Sequence, residues 1–249
     1  MLFRTVYGVE LPAIYGAIQN GLNTREQLKA RMLSSYADGR TVSGQSIDDA
    51  LSFLHSVYLI DEQSALQTIE LEHGSFALSL LHNLRLIQNG VLPPRQPIDA
   101  LYWQILDEAF IKPDKLFVRE PHKTINQMKS VAELGGISVE KVRSWQRVMT
   151  FVGLGRRISR GFQCAYSLSI TREILQAWSD RTGNLQSFLE KHVDQYLPCI
   201  TESGDIAQAL AIPLSVLCEQ GQITLEPRQD SPHKSYFGEQ RIKHISYEG

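Results

Sequence analysis

In residues 124–168, TINQMKSVAELGGISVEKVRSWQRVMTFVGLGRRISRGFQCAYSL, the spacing of apolar side chains switches from three-to-four to two. Val139, Val142, Trp145, Val148, Met149 and Val152 recur every third or fourth residue, which predicts a helix with one buried face. Beyond Gly153, Leu154 and Gly155, the residues Phe162, Cys164, Tyr166 and Leu168 alternate, as in a strand with one buried side. Both periods are satisfied if the helix stops at the glycines and a short β-ribbon follows. Its strands, 156–158 and 162–166, pair through a turn at Ser159, Arg160 and Gly161.

Upstream, Ala132 is followed four residues later by Gly136, then by Val142 and Trp145 at offsets of ten and thirteen. A small residue suits close packing of two helices, and a glycine suits a turn needing positive φ. Ser138 is a good N-cap for the second helix. This spacing resembles the helix-turn-helix family pattern, and the ribbon after it resembles the wing of winged-helix proteins. The resemblance covers roughly residues 115–168, is of fold alone, and singles out no closer family. It implies a second helix that reads the major groove and a basic wing tip that follows phosphates or enters the minor groove.

The helix face opposite the apolar stripe carries Glu140, Arg143, Ser144, Arg147 and Thr150. Arg143 and Arg147 are one turn apart and project the same way. An arginine in the major groove can donate two bonds to guanine, giving roughly 1–3 kcal/mol of base discrimination. A solvated helix face is the plainer reading of the same residues. The ribbon shifts the balance, because Arg156, Arg157 and Arg160 lie where a wing meets phosphates. The expected DNA-binding set is Ser138, Lys141, Arg143, Ser144 and Arg147 on the second helix and Arg156, Arg157 and Arg160 on the ribbon, with Lys123 and Lys129 on the preceding helix.

Charge agrees with this placement. Residues 111–162 hold eleven Lys/Arg against four Asp/Glu, a net of +7 in a chain whose total is −2. A basic island in an otherwise acidic chain fits a polyanionic partner.

The expected class is mainly α with small β-hairpins, arranged as tandem winged-helix-like units. In the first unit, residues 1–92, helices are expected over 11–19, from Asn23 through Leu33 with Asn23 and Glu26 in capping-box spacing, and from a Ser46 cap with Asp49 at N3. A polar loop at 36–44 separates the second and third. Strands at 60–63 and 68–72 then make a small hairpin. This unit is acidic, with seven basic and twelve acidic residues over 1–110, so its expected role is protein contact, with a partner or a second copy. A helix over 76–88 ends at Asn89 and Gly90. Pro93, Pro94 and Pro97 make 93–97 a stiff linker.

The central unit, 98–182, opens with a helix over 98–110 and a strand near 116–118, and closes with a helix over 171–182. The last unit, 183–249, begins with a helix over 185–196. Ala207, Ala211 and Leu217 repeat the helix-turn-helix offsets, with Pro213 placed in the first turn of a second helix. Strands at 223–226 and 240–246 flank a long tip holding Arg228, His233, Lys234, Tyr236 and Phe237. A structural hairpin is its leading reading, and nucleic-acid or partner contact its alternatives.

No phosphate loop, GxGxxG, GxSxG or HExxH occurs. The three cysteines are widely spaced and no CxxC is present, so no zinc site, cofactor or disulfide is expected. His233 and His244 share the last hairpin and leave a metal or nuclease role as a minor alternative. The opening MLFRTVYGVELPAI lacks the regions of a secretory signal, and no apolar run has membrane-spanning length, so the expected place is the cytoplasm or nucleoid, without membrane contact. The expected function is non-enzymatic double-stranded DNA binding by a transcription regulator. The alternative is a scaffold subunit of a larger DNA-processing or chromosome-organising complex, and RNA binding is a lesser third.

Overall fold

The computed structural model describes residues 1–33, 44–62, 65–227 and 242–249. Within them the protein is mainly α-helical with small antiparallel sheets. The loop expected at 36–44 and the hairpin tip with Arg228, His233, Lys234, Tyr236 and Phe237 lie almost wholly outside the described residues, as does Arg241.

Three helices come first: α1 (Glu10–Gln19), α2 (Arg25–Leu33) and α3 (Gly44–Ser56). A two-stranded hairpin, β1 (Ile60–Glu62) and β2 (Leu66–Thr68), follows. The cap of α2 is one residue later than expected. Thr24 Oγ1 accepts from Gln27 N, and the Gln27 side chain accepts from the backbone N–H groups of Asn23 and Thr24. Gln27 rather than Glu26 therefore closes the box. Ser46 does not cap α3, because the helix already runs at Gly44. The second strand pairs two residues earlier than expected, with Ile60 opposite Thr68. Much of this unit's acidity is used internally. Arg25 bonds both carboxylate oxygens of Glu62 at 2.7 Å and reaches Asp48 at 3.2 Å, while Lys29 bonds Asp48 at 2.8 Å.

Helix α4 (Phe76–Gln88) has the bounds its sequence predicts, with Ser75 capping it and Asn89 and Gly90 ending it. The proline segment ends at Gln96, since Pro97 is the first residue of the next helical stretch. A 3-10 turn (Pro97–Ala100), α5 (Leu101–Leu106) and a π-helical turn (Asp107–Ile111) run on without a break. Gln96 and Asp99 form a capping box across that start. This stretch is buried on most sides, including Tyr102, Trp103 and Phe110, and not along one face alone. Tyr102 lies edge-on to Phe3 at 5.0 Å and to Phe53 at 5.9 Å, and its carbonyl accepts from Trp145 Nε1 at 2.8 Å. Buried apolar residues on both sides of the prolines thus belong to one contiguous core.

In the centre come β3 (Phe117–Val118), α6 (Pro121–Asn126), α7 (Lys129–Glu133), α8 (Val139–Phe151), β4 (Gly155–Ile158) and β5 (Gly161–Cys164). The strands form a sheet of order β3-β5-β4, with Ile158 opposite Gly161 across the turn. The helix expected before α8 is two short helices. Asn126 stops the first by turning its side chain to the turn: Oδ1 accepts from Ile137 N at 2.8 Å and Nδ2 donates to Ile137 O at 3.0 Å. Ala132 is exposed and packs under nothing; Val131 is the buried residue of α7. The sharp turn uses two glycines, Gly135 and Gly136, both with positive φ. A β-carbon on Gly136 would lie 2.7 Å from Asn126 Oδ1. Ser138 caps α8 as expected, but Val139 is 37% exposed and drops out of the buried stripe. The alternating run stops at Cys164, because Ser167 caps α9 (Leu168–Gln176).

The helix expected over 171–182 is therefore earlier and shorter, and Thr182 belongs to a strand. That strand, β6 (Thr182–Asn184), joins β7 (Ile223–Glu226) and β8 (His244–Tyr247) in a sheet of order β6-β8-β7. Helix α10 (Leu185–Ser187), a π-helical turn (Phe188–His192) and a 3-10 turn (Val193–Gln195) fill the span expected as one helix. The second helix-turn-helix copy does not form. A single helix α11 (Gln208–Glu219) carries Pro213 in its interior. Proline lacks the N–H that would bond the Ala209 carbonyl, and Tyr166 N donates to that carbonyl instead at 3.1 Å.

Candidate nucleic-acid interface

The basic residues divide between two flanks of α8. One flank faces the ribbon across a cleft of about 210 Å³, lined by His122 of α6, by Val139, Arg143 and Gln146 of α8, and by Arg157, Ser159 and Arg160 of the ribbon. The register puts Arg157 opposite Phe162, on the sheet face turned toward α8. Ser159 has a φ of 52° and makes the tight turn that brings Arg160 back. Among the described residues no carboxylate pairs with Arg143, Arg157 or Arg160. His122 Nε2 donates to Ile137 O at 2.9 Å, which fixes the ring at the edge of the cleft.

The other flank is covered. Residues 4–8 lie across α8, and Ser144 is 1% exposed beneath them. Its hydroxyl donates to Arg4 O and accepts from Val6 N at 3.5 Å. Ser144, expected to face DNA, is thus a buried anchor. The sequence hid this because the covering segment lies about 140 residues away. Arg147 is half-buried, its guanidinium carbon 4.6 Å from the ring centroid of Tyr7.

The remaining expected residues scatter. Arg156 is on the far face of the ribbon and donates to Gln163 Oε1 at 2.8 Å. Lys123 is exposed on α6, and Lys129 on α7 lies 3.9 Å from Glu133 in open solvent. Ser138 spends its hydroxyl on the cap of α8, and Lys141 is half-buried. His122, Gln146 and Tyr7 were not in the expected set. Only His122 had a sequence signal, its place beside the lysines of the preceding helix.

Comparison with protein-family models, curated proteins and solved structures found no match to this chain. The site therefore stands on its own geometry. Among the described residues no group of three or more His, Cys, Asp or Glu side chains is placed to hold a metal ion, and no helix is long and apolar enough to cross a membrane. Cys164 and Cys199 are buried, and burial pushes both thiols far up, away from the reactive thiolate. His192 donates to Ile174 O at 2.7 Å, and burial lowers its pKa.

Proposed function

We propose that this is a non-enzymatic, double-stranded DNA-binding protein, a transcription regulator acting at the nucleoid, whose central unit works as a winged helix. The observation that carries the reading is the convergence of Arg143, Arg157 and Arg160 on one cleft beside α8, with no carboxylate among the described residues to neutralise them. Like charges gathered in this way repel one another, and a phosphodiester backbone relieves that repulsion while releasing its own counterions. The order of elements supports the reading: a helix, a strand, two short helices, a capped helix and a basic hairpin whose second strand pairs with the first strand.

The test is fluorescence anisotropy with a labelled random-sequence duplex over a salt series. Binding that weakens steeply with salt is expected, and each of Arg157→Ala and Arg160→Ala should lower the salt slope by about one. An absence of salt-sensitive duplex binding by the wild type would end this reading.

One observation favours a second reading, a scaffold subunit of a DNA-processing complex. Residues 4–8 occupy a flank of the reading helix, so α8 presents less free surface than its sequence promises. On that reading the purified chain binds no duplex and retains a protein partner through its N-terminal unit.

A further inference from the structure

Residues 4–8 are fixed at several points along α8, and Leu2 ahead of them is tied to the turn before α5. Leu2 and Val6 are fully buried, and Leu2 N donates to Asp99 Oδ1 at 2.7 Å. The Ser144 hydroxyl holds Arg4 O and Val6 N. Gly8 has a φ of +104°, and a β-carbon there would lie 2.4 Å from the Phe151 side chain. The segment therefore meets α8 at Ser144, Arg147 and Phe151, which form one stripe of a helix.

Between two buried neighbours, Val6 and Gly8, the Tyr7 side chain is directed outward, and 58% of the residue is exposed. Its N–H is held by Glu10 Oε1 at 2.6 Å. An outward tyrosine on a clamped backbone has little freedom, and its ring rests against the guanidinium of Arg147. Among the described residues Arg147 has no carboxylate partner, so the ring is the group that holds it. An aromatic face restrains a guanidinium without neutralising its charge, and the N–H edges stay free for an outside acceptor.

We infer that residues 4–8 belong to the nucleic-acid interface, with Tyr7 a positioning residue that holds Arg147 for a DNA phosphate one helical turn beyond Arg143 and its cleft with Arg157 and Arg160. The inference rests on the DNA-binding reading above and goes beyond it in two ways. It moves Arg147 from base reading to backbone contact, and it gives the acidic N-terminal unit a direct part in binding. Arg147, steadied by Tyr7, then extends by one helical turn the row of phosphate contacts that Arg143 begins.

The experiment measures duplex affinity and its salt slope for wild type, Tyr7→Ala, Tyr7→Phe, Arg147→Ala and the Tyr7→Ala/Arg147→Ala double variant, on a labelled random-sequence duplex. Arg147→Ala is expected to lower the slope by about one. Tyr7→Ala is expected to weaken binding roughly two- to fivefold, the range of an exposed cation–π contact. Tyr7→Phe, which keeps the ring, should match wild type, and the double variant should be no weaker than Arg147→Ala alone. Unchanged binding by Tyr7→Ala while Arg147→Ala weakens it overturns the inference and leaves the function reading intact. So does a full further loss on adding Tyr7→Ala to Arg147→Ala, or an Arg147→Ala variant indistinguishable from wild type. A wild type that binds no duplex defeats both.

Discussion

At the scale of single residues, Ser144 and Arg143 show how neighbours on one helix come to differ. Both lie away from the Val142, Trp145 and Val148 stripe, yet Arg143 is exposed and Ser144 holds the backbone of Arg4 and Val6. Ser144→Ala should therefore act on stability. It removes one of the two donors to the Arg4 carbonyl, which keeps the Val6 N–H at 3.0 Å, and is expected to cost roughly 0.5–1.5 kcal/mol, read from chemical denaturation. The duplex affinity of the folded fraction should fall by no more than it does in Tyr7→Ala, since Ser144 reaches DNA only through the segment it anchors. Arg143→Ala should do the opposite, weakening duplex binding while the denaturation midpoint holds. If Ser144→Ala weakens DNA binding at unchanged stability, its assignment as an anchor is wrong.

At the scale of elements, the segment over α8 and the acidic pairs around α2 each carry a prediction. Gly8→Ala puts a side chain in a left-handed backbone position and against Phe151, and should destabilise the protein by about 1–3 kcal/mol, seen as a lowered thermal midpoint. In the first unit, the Lys29 hydrogen bond is the main influence holding the Asp48 carboxyl below its usual range, and the Arg25 hydrogen bond does the same for Glu62. Carboxyls with depressed folded values stabilise the protein fully above the ordinary carboxylate range, about pH 4, and lose that contribution as pH falls through the folded values. These groups are partly exposed, so the effect is modest. Denaturation midpoints measured from neutral pH to below pH 4 should fall more steeply for wild type than for the Asp48→Asn/Glu62→Gln variant. Parallel curves would show that the pairs contribute nothing.

At the scale of the whole molecule, one contiguous core crosses the proline segment, with Phe3, Phe53, Tyr102 and Trp145 meeting around the central helix. Arg85 of α4 adds a polar tie to the last unit through Asp194, donating to its carboxylate at 2.5 Å and to its carbonyl at 3.0 Å. Burial raises the Asp194 pKa, and Arg85 works against that shift. Unfolding should accordingly be one cooperative transition, with equal calorimetric and van't Hoff enthalpies. Two resolved transitions would show that the prolines do separate independent units.

Local chemistry made a good part of this fold legible in the sequence. The bounds of α4, the Ser138 cap, the stop at Gly153 and the ribbon all follow from caps, glycines and apolar period, which act over a few residues, although Gly161, expected in the turn, pairs with Ile158 as the first residue of β5. The cleft was half legible, because Arg143, Arg157 and Arg160 are close in sequence and share one helix-and-hairpin unit. Partners distant in the chain were not. Whether Ser144 faces solvent or a covering backbone, whether Arg147 stands alone or against Tyr7, and where the carbonyl freed by Pro213 finds its donor depend on segments more than 40 residues apart. Period and propensity are properties of a local window. Burial of one particular flank depends on which distant segment packs there, and that was decided only in the tertiary structure.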